Sequence, residues 1–528
     1  MDGIAFENVA AQSGVKYRWK LQPRPMRNVE AFGTGCAFLD YDNDGWQDIL
    51  LIDEPTSVLF RNQRNGRFQN VSASTQLSSQ RGAWKGCAVG DYDGDGFLDL
   101  LLTGYHCLAL LKNDSGKRWL NRTEQVGLDN HDGGQWGSSA GFMDLDSNGT
   151  LDLLIGHYVV FGPREKQYCY DRKGVKIGCR PQAYRPEYVE LWHNQGGRFK
   201  DVSATAGMKK THGRALVVAF ADVDDDGRFD FYVGNDGTPA ELMLNQGNLR
   251  FRNIGASSGT AYGVAPGSIM AAMGADWSDY DGDGKLDLAV SGFSNESFSL
   301  QHNLGNGLFE QNSATTGIAA PTQKPLGFGT EWLDVDNDGW PDLVFVNGHV
   351  YDRAAEVEKA TALRQPSMLF HNREGYLGER NFVDIAPKLG GDWIRPILGR
   401  GLAGGDFDND GRMDALVVDY EGEPLLLRNI SKTPSHWIKL DLRALGANPF
   451  AYGAKIVARG GKRQWVEQVS PASSYLSSSD PRVHLGLGDV TRLQSLSITW
   501  PDGKREVLRD VAVDRVLIVR QGAGASSK

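Results

Sequence analysis

The chain has no run of 18 apolar residues, which excludes a helix long enough to cross a bilayer. Its N-terminus lacks the charged and apolar segments of a secretory signal, so either a signal has been removed or the protein is cytosolic. No basic stripe or nucleic-acid reading module is present, and there is no Ser-His-Asp signature, phosphate loop, dinucleotide fingerprint or zinc motif. Nucleic-acid binding and hydrolysis by those routes are therefore unsupported. Cysteine is scarce and odd in number, five in 528 residues. Cys36 and Cys87 each stand four residues before an acidic loop and read as small buried hydrophobes. Cys169 and Cys179 bracket a short excursion, which predicts a disulfide and an oxidising compartment, secreted or periplasmic.

What the chain has in excess is one acidic phrase, Asp-x-Asp-x-(Asp/Asn)-Gly-x-x-Asp, written seven times. The carboxylate and amide positions are Asp40, Asp42, Asp44 and Asp48; Asp91, Asp93, Asp95 and Asp99; Asp144, Asp146, Asn148 and Asp152; and Asp222, Asp224, Asp226 and Asp230. The remaining three sets are Asp279, Asp281, Asp283 and Asp287; Asp334, Asp336, Asp338 and Asp342; and Asp406, Asp408, Asp410 and Asp414. Carboxylates on alternate residues of a tight loop converge, and a hard cation that takes six to eight oxygens offsets their repulsion. Calcium suits this set better than magnesium, which keeps its waters, or zinc, which would call for His or Cys. The net charge of −10 is then mostly metal ligand, and seven calcium ions would turn it to about +4.

An EF-hand would place Glu at the twelfth position. Here that residue is Leu51, Leu102, Ile155, Val233, Val290, Phe345 or Val417, within short apolar runs that read as buried strands. Each loop is thus a strand-to-strand hairpin. First-Asp spacings of 51, 53, 78, 57, 55 and 72 residues suit four short strands per unit, with insertions in the third and sixth intervals. An Asn recurs in step at 62, 113, 194, 245, 303, 372 and 429, and Phe6-Glu-Asn-Val9 supplies the strand start that the seventh unit lacks. The expectation is an all-β chain: a seven-bladed propeller over 1–434 whose N-terminal strand completes the last blade, a small β domain over 435–520, and a disordered tail over 521–528.

These repeats resemble the FG-GAP repeats of the integrin alpha propeller and, more closely, the cartilage-acidic-protein-like family. The segments Gly453-Ala-Lys-Ile-Val457, Ser474-Tyr-Leu-Ser-Ser-Ser-Asp-Pro-Arg-Val-His-Leu-Gly-Leu-Gly488 and Ile498-Thr-Trp-Pro-Asp-Gly503 resemble the ASPIC/UnbV domain that follows that propeller. The resemblance implies a calcium-loaded scaffold, usually extracytoplasmic.

With the metal loops at one end of the ring, ligands are expected at the opposite mouth. Three residues before the first Asp the inner strands carry Ala37, Ala88, Gly141, Ala219 and Ala403, but Asp276 and Glu331 in adjacent blades. Sharing a partly dry channel would raise the pKa of one and set a proton donor beside a carboxylate, unless an internal ion pair or an eighth cation occupies them. With His157 and His349 they form the catalytic candidates. Trp84, Trp136, Tyr158, His212, Asp236, Arg395 and Arg400 are the ligand candidates, and residues 354–364 read as a short helix. Two functions follow. One is calcium-dependent binding of a small molecule, glycan or protein by a monomer or weak oligomer. The other is a calcium-stabilised cyclase, isomerase or lyase that uses the channel carboxylates and no organic cofactor.

Overall fold

The computed structural model describes residues 3–128, 135–375 and 378–527. Seven four-stranded antiparallel sheets form the blades of a propeller. In blade 1 the strands run Cys36–Leu39, Asp48–Leu51, Val58–Asn62 and Phe68–Asn70 from the axis outward. The first two strands of each blade are apolar and buried, as in Ala215–Ala221 and Asp230–Asn235 of blade 4, because both faces meet neighbouring blades. The acidic phrase forms the hairpin between them. Its sixth-position Gly takes φ from 82° to 91° in all seven blades, a left-handed conformation that costs glycine little. Phe6–Asn8 pairs with Leu425–Asn429, Phe6 opposite Asn429, so strands from both ends of the propeller close blade 7 and leave no open ring edge.

The recurrent Asn stitches the ring. Asn113 Nδ2 donates to Leu98 O in its own loop (3.0 Å) and to Tyr41 O in the preceding one (2.7 Å), and Asn194 repeats this with Leu151 O and Tyr92 O. Asn62 reaches Phe407 O of blade 7 at 2.8 Å, which carries the chain of bonds across the closure. These side chains are almost fully buried, so the carbonyls they satisfy would otherwise be stranded.

The chain after the propeller folds into two four-stranded sheets. One is ordered Val483–Gly488, His436–Arg443, Arg515–Arg520, Gly524–Ser527, and the other Arg463–Gln468, Lys455–Gly460, Arg492–Thr499, Arg505–Ala512. The tail expected to be disordered instead supplies the edge strand Gly524–Ser527, because Arg515–Arg520 offers it unpaired backbone groups. The domain's core, including Ile438, Tyr452, Ile456 and Trp500, is continuous with that of blades 1 to 4.

A segment of this domain fills the propeller axis. Ser478 exchanges backbone hydrogen bonds with Cys36 O (3.0 Å) and Phe38 N (3.1 Å), Leu476 O accepts from Cys87 N, and Ser474 N donates to Ala275 O. Ser479 Oγ accepts from Gly404 N. Gly35 is required here, since a Cβ would lie 1.8 Å from Leu476 O. Cys169 and Cys179 are disulfide-bonded in the long insertion of blade 3. The helix read over 354–364 covers only Ala354–Val357, because the Thr361 hydroxyl takes Ala354 O and Glu358 O and the chain turns there.

Candidate metal loops and ligand cavity

Each acidic loop is organised by its first and ninth residues. Asp40 accepts hydrogen bonds from Asp44 N (2.9 Å) and Gly45 N (2.7 Å), while Asp48 accepts from Tyr41 N and from Asn62 N (2.7 Å). One oxygen of the third-position acid is left over in four of the loops. Asp42 Oδ1, Asp93 Oδ1, Asp224 Oδ1 and Asp408 Oδ1 are buried without a hydrogen-bond partner, a costly state that a cation would relieve. Ligand atoms of Asp40, Asp42 and Asp48, and of Asp91, Asp93 and Asp99, lie within 4.8 Å of one another, so the loops could hold metal ions. Burial, opposed by hydrogen bonds from the loop backbone and reinforced by neighbouring acids, pushes Asp40 up to about 6 and Asp91 up to about 7.

One contributor went unnoticed in the sequence. The residue before the recurrent Asn projects onto the loop from the third strand, as Arg61 to Asp42 at 2.6 Å, Arg428 to Asp408 at 2.6 Å, and Lys112 to Asp93. In blades 3, 5 and 6 it is a histidine, with His193 Nδ1 3.0 Å from Asp152, His302 Nδ1 3.1 Å from Asp287 and His371 Nε2 3.1 Å from Asp336. A basic side chain at that offset in six blades, with Leu244 in blade 4, was a readable signal. Because Arg and Lys share the position with His, its common role is to orient and screen the carboxylates.

The C-terminal domain rests on these loops. Lys439 Nζ lies 3.0 Å from Asp406 Oδ2, Arg482 donates to Asp406 O, and Arg463 donates to Asp338 O and Gly339 O. His484 Nε2 is 2.7 Å from Asn337 Oδ1. Asp276 and Glu331 are covered by this docking. They line a cavity of about 150 Å³ with Glu467, Ser473 and Ser479 of the C-terminal domain, away from the open mouth. Asp276 accepts from Trp277 N and Trp332 N, and Glu331 accepts from Ser473 Oγ at 3.1 Å. Burial pushes Asp276 up to about 7 and Glu467 up to about 8, and burial with the Asp276 charge pushes Glu331 well up. A carboxyl raised on folding contributes stability below its unfolded pKa and loses it as pH rises through the folded value. Glu331→Gln should therefore raise the melting temperature by roughly 1–3 °C at pH 8 and leave it unchanged at pH 5. A thermal shift series across that range tests this, and a lower melting temperature at pH 8 would contradict it.

At the opposite end of the ring lies a larger cavity of about 400 Å³. It is built where inner strands begin and second strands end, and it brings together three of the expected residues, Tyr158, Asp236 and His349. Tyr158 OH donates to Asp236 Oδ2 at 2.6 Å, and burial holds Asp236 at about 6. Glu296 Oε2 accepts from Ala271 N (2.8 Å) and Phe293 N (3.3 Å). His349 is almost fully buried and accepts from Tyr351 N through Nδ1, and burial with the Arg400 charge lowers its pKa to about 4, so it is neutral. Tyr475 of the axial segment forms part of the floor, its hydroxyl donating to Phe32 O at 2.9 Å.

The other candidates are elsewhere. Trp136 is fully buried behind the cavity, packed edge-on to Tyr158, and Trp84 is core. His157 is buried with Nε2 3.2 Å from Glu190, His212 pairs with Glu241 at 2.8 Å on the surface of blade 4, and Arg395 pairs with Asp392 at 2.8 Å. Arg400 does not reach the mouth. It is wholly buried, and its guanidinium donates to Ala31 O, Gly348 O, Gly399 O and His349 O.

Residues 40–102, 91–155, 222–290 and 279–345 match the family described as FG-GAP-like repeat, and residues 444–526 match ASPIC and UnbV. The chain is 26% identical over 515 residues to cartilage acidic protein 1 of Xenopus tropicalis, covering 90% of this chain and 71% of that one. Over nine tenths of its length the chain is similar to that protein. To cartilage acidic protein 1 of Mus musculus it is 25% identical over 525 residues, covering 94% and 74%. An Agrocybe aegerita lectin that recognises non-reducing terminal N-acetylglucosamine is similar with a TM-score of 0.40 at 17% identity, covering 66% of this chain and 79% of that chain. The FG-GAP-like matches cover six of the seven acidic hairpins, all but the one at Asp406–Asp414, and the ASPIC and UnbV match contains the segment that fills the axis. Among the described residues no helix is long and apolar enough to cross a membrane.

Proposed function

We propose that this cartilage-acidic-protein-like propeller is a calcium-stabilised protein that binds a small organic molecule in the cavity at the mouth opposite the metal loops. The observation that carries the reading is the cavity itself. It is large enough for a drug-sized ligand, mostly apolar and aromatic, and furnished with a few convergent polar groups, the ordinary make-up of a ligand site. Calcium is the ion chosen because the loops offer carboxylate oxygens on alternate residues and a flexible ring of backbone around them. The disulfide between Cys169 and Cys179 supports an extracytoplasmic location.

The test is capture from a small-molecule extract of the producing organism, analysed by mass spectrometry with calcium and after chelation. Ala271→Phe serves as control, because Ala271 lines the cavity and is almost fully buried. The larger ring occupies the space at a cost of about 1–3 kcal/mol. A compound retained by the parent and lost from a folded Ala271→Phe identifies the ligand and places it. Equal retention by both proteins refutes the cavity, and a new mass that grows with time shows turnover in place of storage.

A further inference from the structure

The charged groups in the wall of the cavity are mostly carboxylates. Of its three carboxylates, Glu358 is already bonded to Asn295 and Lys324, whereas Asp236 and Glu296 each have one oxygen committed to Tyr158 or to backbone N–H groups and the other without a protein donor. The cationic side chain in the lining is Arg180, exposed at the mouth and hydrogen-bonded to the Tyr351 hydroxyl. Around the carboxylates stand the rings of Phe32, Tyr158, Phe293, Tyr351 and Tyr475. Phe328 also lines the wall, but one of its faces is taken by the Arg400 guanidinium, 4.0 Å from the ring centroid. That cation is held by four backbone carbonyls, and it lies outside the lining. Ser294 adds an independent sign of a missing partner. It lines the cavity at 7% exposure, and its Oγ is buried with no hydrogen bond.

Aromatic faces present negative quadrupole to whatever they enclose, and they attract an organic cation most when it is desolvated. A carboxylate at the same site supplies the counter-charge, whereas an anionic ligand would meet two like charges in a low-dielectric wall. Resting on the small-molecule reading above, we infer that the ligand carries an amine or quaternary ammonium group, enclosed by these aromatic rings with Asp236 and Glu296 as its counter-ions. His349 contributes no opposing charge, since it is neutral. The unpaired Ser294 hydroxyl is then free to bond a polar group elsewhere on the ligand.

The test uses the calcium-loaded full chain and three probes in calorimetric or ligand-observed NMR titrations: benzyltrimethylammonium, its uncharged carbon isostere neopentylbenzene, and maltose as a neutral polyol. The ammonium probe should bind at least tenfold more tightly than the isostere. Asp236→Asn and Glu296→Gln should each weaken it about tenfold or more while leaving the melting temperature within a degree or two of the parent. Equal binding of the charged and uncharged probes, or binding of maltose alone, overturns the cationic class while the cavity stands as a binding site. Failure of all three probes overturns the cationic class as well. If extract capture is also unchanged by Ala271→Phe, the cavity reading falls with it. Should either carboxylate variant fail to fold, binding of the ammonium probe to the parent and its exclusion by a folded Ala271→Phe decide the matter.

Discussion

Stripping the divalent metal with a chelator should lower the melting temperature by about 25 °C. A ligand bound only by the folded state stabilises it by about 4 kcal/mol when its free concentration is a thousandfold above Kd. Unfolding entropy near 2 cal/mol/K per residue comes to about 1 kcal/mol/K for 528 residues, so each filled loop is worth about 4 °C. Seven hairpins with buried, partnerless or mutually repelling carboxylates give the total. Asp91→Asn should remove about one seventh of the effect and one ion, counted by native mass spectrometry. The C-terminal domain should loosen together with the loops, because Lys439, Arg463, Arg482 and His484 hold it through Asp406, Asp338, Gly339 and Asn337. Limited proteolysis should then cut between residues 430 and 435, where the two parts join. A melting temperature indifferent to chelator would sink the calcium assignment, and full restoration by magnesium would sink the choice of ion.

The parts of this molecule written as local repeats were legible in the sequence. The acidic hairpins, the recurrent Asn and the N-terminal completion of blade 7 each depend on short spacing or on a missing repeat unit, and the strands fall where the apolar runs lie. The candidate mouth was half legible. Tyr158, Asp236 and His349 meet because each follows a second strand, a position that topology alone brings to one end of the ring. What sequence patterns could not show is contact across hundreds of residues. Ser477 lies beside Cys36 at a separation of 441 residues, and the string around it reads as a small polar loop, with nothing to mark it as the filling of a channel. That filling moves Asp276 and Glu331 from a channel wall to a domain junction. Ser294 was equally hidden, since a polar loop in one blade gives no sign of the aromatic rings it faces in another.

Arg400→Met should be among the most damaging single substitutions in the chain, costing about 4 kcal/mol or more, whereas Arg395→Ala should fall within about 0.5 kcal/mol of the parent. Sequence position placed both arginines at the same mouth. Their surroundings separate them: Arg395 makes one partly exposed ion pair with Asp392, which contributes little in solvent, while Arg400 is at 0% exposure and bonded to four backbone carbonyls. Those carbonyls belong to three separate segments, at Ala31 before blade 1, at Gly348 and His349 leaving blade 6, and at Gly399 entering blade 7. Removing the guanidinium strands all four acceptors in a dry interior, and each such loss costs roughly 1–3 kcal/mol. Lysine should recover less than half of the loss, because one ammonium cannot reproduce the planar five-donor fork that spans the segments. Denaturant unfolding of the three variants measures the order. Since Ala31 and His349 also line the larger cavity, Arg400→Lys should weaken ligand capture further than its stability loss alone explains, through disorder of that wall. If capture by a folded Arg400→Lys protein matches the parent, the guanidinium is a staple for the ring and plays no part in shaping the site.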